Sequence, residues 1–201
     1  MRTSSHRENG ALAGFRSMPM PVGVSSNIGP KIMLYSGVEL DLLDPSSSEF
    51  TIDDIAHGLS NICRYAGQCR MFYSVAEHSV LMSDLAGHLA FEALMHDAAE
   101  AFIGDITRPL KQLLPDYKNI ERSVEEAIFN RFGLPLYIRA EIKSLDLQVL
   151  AAEQDQLMPQ STNRWAIEAG IRPANIQTQG WSPARAKIEF LKRYAELVHM
   201  S

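Results

Sequence analysis

Long apolar runs are missing from this sequence. Its apolar stretches are broken by Ser, Asp, Gly or His well short of the roughly 20 residues a spanning helix needs. No membrane partner is therefore expected. Arg2 and Arg7 open the chain, but the apolar run after them, Ala11 to Phe15, is shorter than the roughly 7–15 residues of a secretory h-region. Cysteine is scarce as well. Cys63 and Cys69 are too few for a disulfide scaffold, and their spacing is not that of a zinc knuckle. Two thiols without a secretory signal suggest a reducing, cytoplasmic setting. Positive charge is in deficit, with 19 Lys and Arg against 24 Asp and Glu and a net charge of −5. That argues against a protein that coats a nucleic acid polymer, which would be basic overall. A small anionic substrate stays open, because a local site can be positive on an acidic protein.

What is present fits one globular domain. The 201 residues, 46% of them apolar, suffice to bury a core without staples. Residues 1–30 are rich in Gly, Pro, Ser and Asn and read as a flexible arm, leaving 31–201 as the domain. Short apolar runs on either side of Gly37 read as a β-hairpin. From there the signals are helical. Thr51 caps a helix carrying Ile55, Leu59 and Ile62, and Ser74 with Glu77 forms a capping box for a second. A third apolar helix covers roughly 88–102 and ends at Gly104. A short turn follows over Arg108–Leu114, then a helix over Tyr117–Phe132 closed by Gly133. Pro135 restarts a helix reaching about Met158, and Ser182-Pro183 opens the last one. The expectation is an all-α bundle of six to seven helices with a small N-terminal β-hairpin, and no repeat.

Chemistry concentrates in the string LMHDAAE. At 100° per residue, His96 and Glu100 fall roughly 40° apart and Asp97 and Glu100 roughly 60° apart, so one face carries an imidazole and two carboxylates. Around them lie Phe91, Leu94, Met95, Ala98, Ala99 and Phe102. Such groups are costly to bury unpaired, and a divalent cation relieves that cost. One helix rarely completes a site. His78 opens the preceding helix, and Asp146 lies beside an apolar stripe of Leu145, Val149 and Leu150. Taken singly, each reads more simply as a polar helix residue in solvent. Together, two His and two Asp make a mixed nitrogen and oxygen set that suits first-row metals.

The strings ICRYAGQCRMFYSVAEHSV, ALMHDAAEAFIGDITRPLK and LDLQVLAAEQDQLM carry a resemblance to the HD-domain phosphohydrolase superfamily. Within it, the chain resembles the compact group of bacterial 5'-nucleotidase-like and phage nucleotide-hydrolase members, over about Met33 to Met158. The resemblance implies a compact HD-type helical bundle holding one divalent ion (Co, Mn, Zn, Fe, Ni or Mg) on His78, His96, Asp97 and Asp146. It implies Glu100 as acid/base and Asp105, in the Gly104-Asp105 turn, as a second catalytic group. Arg64, Tyr65 and Lys111 would contact the nucleotide. Gln68 and Tyr65 depart from the pattern, which often has His and Trp or Phe there. Bland alternatives remain: Lys111 as a solvated cation and Asp105 as a cap before Thr107. His57 and Asn61 could face the pocket, whereas His88 reads as surface.

The implied activity is hydrolysis of the 5'-phosphate of (deoxy)nucleoside monophosphates. A dNTP triphosphohydrolase is the alternative, needing further cations such as Arg70 and Arg108. A metal-containing module that senses a nucleotide without turning it over is the reading from another class. The expected partner is a small-molecule nucleotide, and the tryptophan-bearing stretch 162–181 could contribute to a homodimer surface.

Overall fold

The computed structural model describes residues 29–160 and 162–199. Nearly all of the expected arm lies outside the described residues. The hairpin is present: β1 (Lys31–Met33) pairs antiparallel with β2 (Glu39–Asp41), with Ile32 opposite Leu40. Gly37 takes φ +86° in the turn, a conformation open to glycine at no steric cost. Leu34 and Leu40 turn inward and join the main apolar core.

α1 (Ile52–Asn61) starts where the sequence predicts. Thr51 Oγ1 accepts from the Asp54 amide while Asp54 Oδ2 accepts from the Thr51 amide. Asp54 Oδ1 also accepts from the Ser36 amide, which ties the hairpin to the helix start. Ser74 caps α2 (Val75–Leu85) by accepting from the Glu77 amide. Only that half of the expected box forms. The Glu77 carboxylate, fully buried, instead accepts from the amides of Gln179, Gly180 and Trp181.

The expected third helix is divided. α3 (Ala90–Met95) and α4 (Glu100–Ile103) flank a tightened turn in which Glu100 N bonds to Asp97 O and Ala98 N to Met95 O. His96 Nδ1 lies 2.7 Å from the Ala93 carbonyl, the acceptor a continuous helix would give to the Asp97 amide. That side-chain bond accounts for the break. α5 (Arg108–Lys111) and α6 (Pro115–Phe132) follow, and Gly133 closes α6 in the left-handed conformation.

Pro135 does not restart a helix. α7 (Ala140–Leu157) begins five residues later, after an irregular stretch pinned by Arg139 Nε to both Glu92 carboxylate oxygens at 3.0 and 2.8 Å. A short helix, α8 (Arg164–Glu168), occupies what reads in the sequence as a tryptophan-bearing loop. α9 (Pro183–His199) packs on α1, α2 and α3 through Ala186 and Phe190. The split of the third helix and α8 help bring the α-helices of the described residues to nine, where six to seven helices were expected. The chain is mostly helical and compact. α7 closes the far side, where Ile142 and Val149 meet Met82, Leu89 and Ala93 in a second apolar cluster. No helix among the described residues is long and apolar enough to cross a membrane.

Candidate functional site

Three elements bring the expected ligands together. His78 comes from the first turn of α2, His96 from the tightened turn after α3, and Asp146 from the middle of α7. One ligand atom from each lies within 4.8 Å of the others, so this group can hold a metal ion. His78 Nε2 is 3.3 Å from His96 Nε2 and 3.4 Å from Asp146 Oδ1. Asp97 Oδ2 stands 3.5 Å from His78 Nε2 and 3.3 Å from His96 Nε2.

The hydrogen-bond partners fix the proton positions on both rings. His78 Nδ1 sits 2.6 Å from Glu153 Oε1, and that carboxylate is held ionised, so Nδ1 carries the hydrogen. His96 Nδ1 faces a backbone carbonyl, which only accepts, so it too carries the hydrogen. In the neutral rings both Nε2 atoms then present lone pairs to each other and to two carboxylate oxygens. The acceptors of His78, His96 and Asp146 converge with no donor among them, and a cation satisfies that arrangement. Asp97 stands beside the two imidazoles but outside this group of three, and its Oδ2 also accepts from Arg64 Nη1 at 3.5 Å. The carboxylates around His78 favour its charged form. Burial and the Arg64 charge push its pKa down, but Glu153 and Asp146 outweigh them and bring it to about 9. Burial alone would raise the Asp146 carboxyl, yet the hydrogen bond and charge of His78 hold it well below the usual carboxylate range.

Glu153 is the residue that sequence reasoning missed. It is fully buried and accepts from Tyr73 Oη and Tyr65 Oη at 2.7 Å each, besides His78. Arg64 Nη2 lies 3.3 Å away. Burial favours its neutral form, but the Arg64 and His78 charges and these hydrogen bonds bring its pKa to about 2. A signal existed: Glu153 lies seven residues after Asp146, two helical turns on the same face of α7.

The tightened turn also alters the expected face. With i to i+3 hydrogen bonds, residues three apart line up. Asp97 and Glu100 therefore both line a cleft of about 730 Å³, whereas His96 turns inward toward His78. Glu100 is buried, and its Oε2 has no hydrogen-bond partner. Burial, then the Asp97 and Asp105 charges, push its carboxyl well above the usual range. Asp105 also lines the cleft, after Gly104 at φ +82°, ψ 158°, a conformation essentially reserved for glycine. Its carboxylate caps nothing: Thr107 precedes α5 without a side-chain cap.

Arg64, Tyr65 and Lys111 line the same cleft, but each already has a protein partner. Arg64 is buried, 3.5 Å from Asp97 and 3.3 Å from Glu153, with an unpartnered Nε. Tyr65, at φ +59° beside Ala66 at +51°, is held in the left-handed region and spends its hydroxyl on Glu153. Two consecutive non-glycine residues there mark a strained loop. Lys111 Nζ is 2.6 Å from Glu121 Oε1 and lies over the Tyr117 ring. Arg108 and Lys118 reach the cleft rim, while Arg70 does not line it. His57 stacks on Tyr35 at 4.0 Å and Asn61 donates to the His57 carbonyl, so this pair does not line the cleft. His88 is exposed, and Trp165 joins the cleft wall.

No family model matches the chain. It is 40% identical over 168 residues to the uncharacterized protein YfdR of Escherichia coli strain K12, covering 83% of this chain and 94% of that protein. It is 39% identical over 121 residues to an uncharacterized protein of Rhodobacter capsulatus, covering 55% of this chain and 62% of that protein. Neither relative's name states an activity.

Proposed function

Because the chain belongs to the family of the uncharacterized protein YfdR, whose name assigns no activity, we propose its function from the site itself: a divalent-metal-dependent phosphohydrolase that removes the 5'-phosphate of (deoxy)nucleoside monophosphates. One observation carries this reading. Two imidazole lone pairs and the Asp146 carboxylate converge with no donor among them, with Asp97 beside the imidazoles, next to a buried acid whose free oxygen lies on a roomy cleft. The order of these residues also resembles that of the HD-domain phosphohydrolases.

His78, His96, Asp97 and Asp146 would hold the ion. A divalent ion bound there supplies Lewis-acid polarisation of the phosphoryl group and a lowered pKa for water. Nitrogen and carboxylate donors suit Mn, Fe, Co, Ni or Zn better than Ca. Glu100 gives or takes the proton at Oε2, the one cleft-lining carboxylate oxygen among the described residues that is buried without a partner. Arg64 holds Asp97 and Glu153 in place and brings cationic charge to the developing phosphate negative charge. Asp105, unpaired on the cleft, orients water or a sugar hydroxyl. A sensing module has no use for Glu100.

A second reading, removal of tripolyphosphate from a dNTP, gains support from Arg108 and Lys118, cations on the cleft rim with no ion pair among the described residues. Metal analysis of the purified protein, followed by phosphate release from nucleoside mono- and triphosphates with Co, Mn, Zn and Mg, tests both. Orthophosphate from monophosphates is the expected product, and Asp97→Ala should lose both metal and activity. Full activity in Asp97→Ala, or no release from any nucleotide with any metal, would sink the reading.

A further inference from the structure

The cleft lining is of two kinds. Arg108 and Lys111 of α5 and Lys118 of α6 contribute cations, while α7 and α8 contribute a wall of their own. Along α7, Asp146, Leu150 and Gln154 line the cleft at four-residue steps, so the wall runs about 12 Å along the helix axis. Its near end is the candidate metal group. Its far end is Trp165, on α8, with Gln154.

The polar atoms at that far end have a fixed assignment. Trp165 Nε1 is 2.7 Å from Gln154 Oε1. An indole N–H only donates, so the Gln154 amide must turn its oxygen to the tryptophan. Gln154 Nε2 is then left as a donor with no hydrogen bond among the described residues. Trp165 is half-buried, and its single polar atom is already satisfied, which leaves the ring to make apolar or stacking contacts. The arrangement is a flat aromatic plate with an amide donor at its edge, on the wall that begins at the phosphate-binding end.

Building on the nucleotide reading above, we propose that Trp165 and Gln154 form the base-recognition end of the cleft. The indole stacks on the heterocycle, and Gln154 Nε2 donates to a carbonyl oxygen or ring nitrogen on its edge. The substrate class is thereby narrowed from phosphate esters in general to esters carrying a heterocyclic base. Sugar phosphates would reach the ion but leave the plate and the amide donor uncovered.

The test compares phosphate release from deoxynucleoside monophosphates with release from deoxyribose 5-phosphate, using the full chain supplied with Co or Mn. For Trp165→Ala the ratio of the two kcat/KM values should fall about ten- to hundredfold, the usual worth of one base stacked on an aromatic ring. Trp165→Phe should keep most of the ratio. Gln154→Glu still accepts from the indole but cannot donate, so its ratio should fall about tenfold. Calorimetric binding of a free nucleoside should weaken in parallel in both variants. A ratio equal to wild type in Trp165→Ala and Gln154→Glu overturns the inference while the nucleotide reading stands. Equal losses on both substrates would also overturn it, since they mean that the pair only pins α8 to α7. A wild-type protein that hydrolyses no nucleotide removes the nucleotide reading and this inference with it.

Discussion

Glu153 receives hydrogen bonds from two tyrosines and one histidine, with an arginine 3.3 Å away, and none of these partners is near it in sequence. By holding the Nδ1 hydrogen of His78, it points the Nε2 lone pair toward His96, Asp97 and Asp146. An ionised carboxylate behind an imidazole also raises the basicity of the ring. Glu153→Gln should therefore weaken metal affinity about ten- to hundredfold, read by competition with a chelating dye. An unchanged affinity would deny Glu153 this orienting part. At this scale the sequence was partly legible. His96, Asp97 and Glu100 declared themselves because ionisable groups on an apolar helix need a reason to be there. Tyr73 gave no such sign, since a buried tyrosine before a helix cap reads as ordinary core.

Helix starts were legible because capping is local chemistry. Thr51, Ser74 and Ser182 each stand where a helix begins, and Gly133 where one ends. The break between α3 and α4 was not, because its cause is a side-chain bond from His96 to the Ala93 carbonyl. Apolar periodicity runs through that break undisturbed. α1 and α4 meet across Gly58, where an added Cβ would lie 2.4 Å from the Ala101 carbonyl oxygen. Backbone cannot yield as a flexible side-chain end can. Gly58→Ala should lower stability by about 1–3 kcal/mol through overpacking, seen as a lower urea midpoint. On the proposed phosphohydrolase function, kcat should fall as well, because α4 begins at Glu100. A variant matching wild type in both would show that the two helices separate at little cost.

The order of the whole chain is closed by one carboxylate. Glu77, in the first turn of α2, accepts from three successive amides about a hundred residues later and so seats the approach to α9. Read locally, Glu77 is a capping-box acid. In the fold it binds the last segment instead, because three amide donors outweigh one cap bond. Glu77→Ala should cost about 2–3 kcal/mol, with the urea midpoint lowered and the slope unchanged. A midpoint equal to wild type would mean that the cradle opens freely to water.

By itself the sequence determined the helical class, the hairpin, most helix starts and the acid-and-imidazole character of 96–100, because each depends on neighbours within a turn or two. Only the tertiary structure decided that His78, His96 and Asp146 converge with Asp97 beside the two imidazoles, that Glu153 stands behind His78, and that Trp165 lines the cleft. Periodicity places a residue on a face of its own helix but carries no information about what that face meets. Packing of α2, the turn after α3, and α7 supplies that, and with it a set of lone pairs that can hold a metal ion.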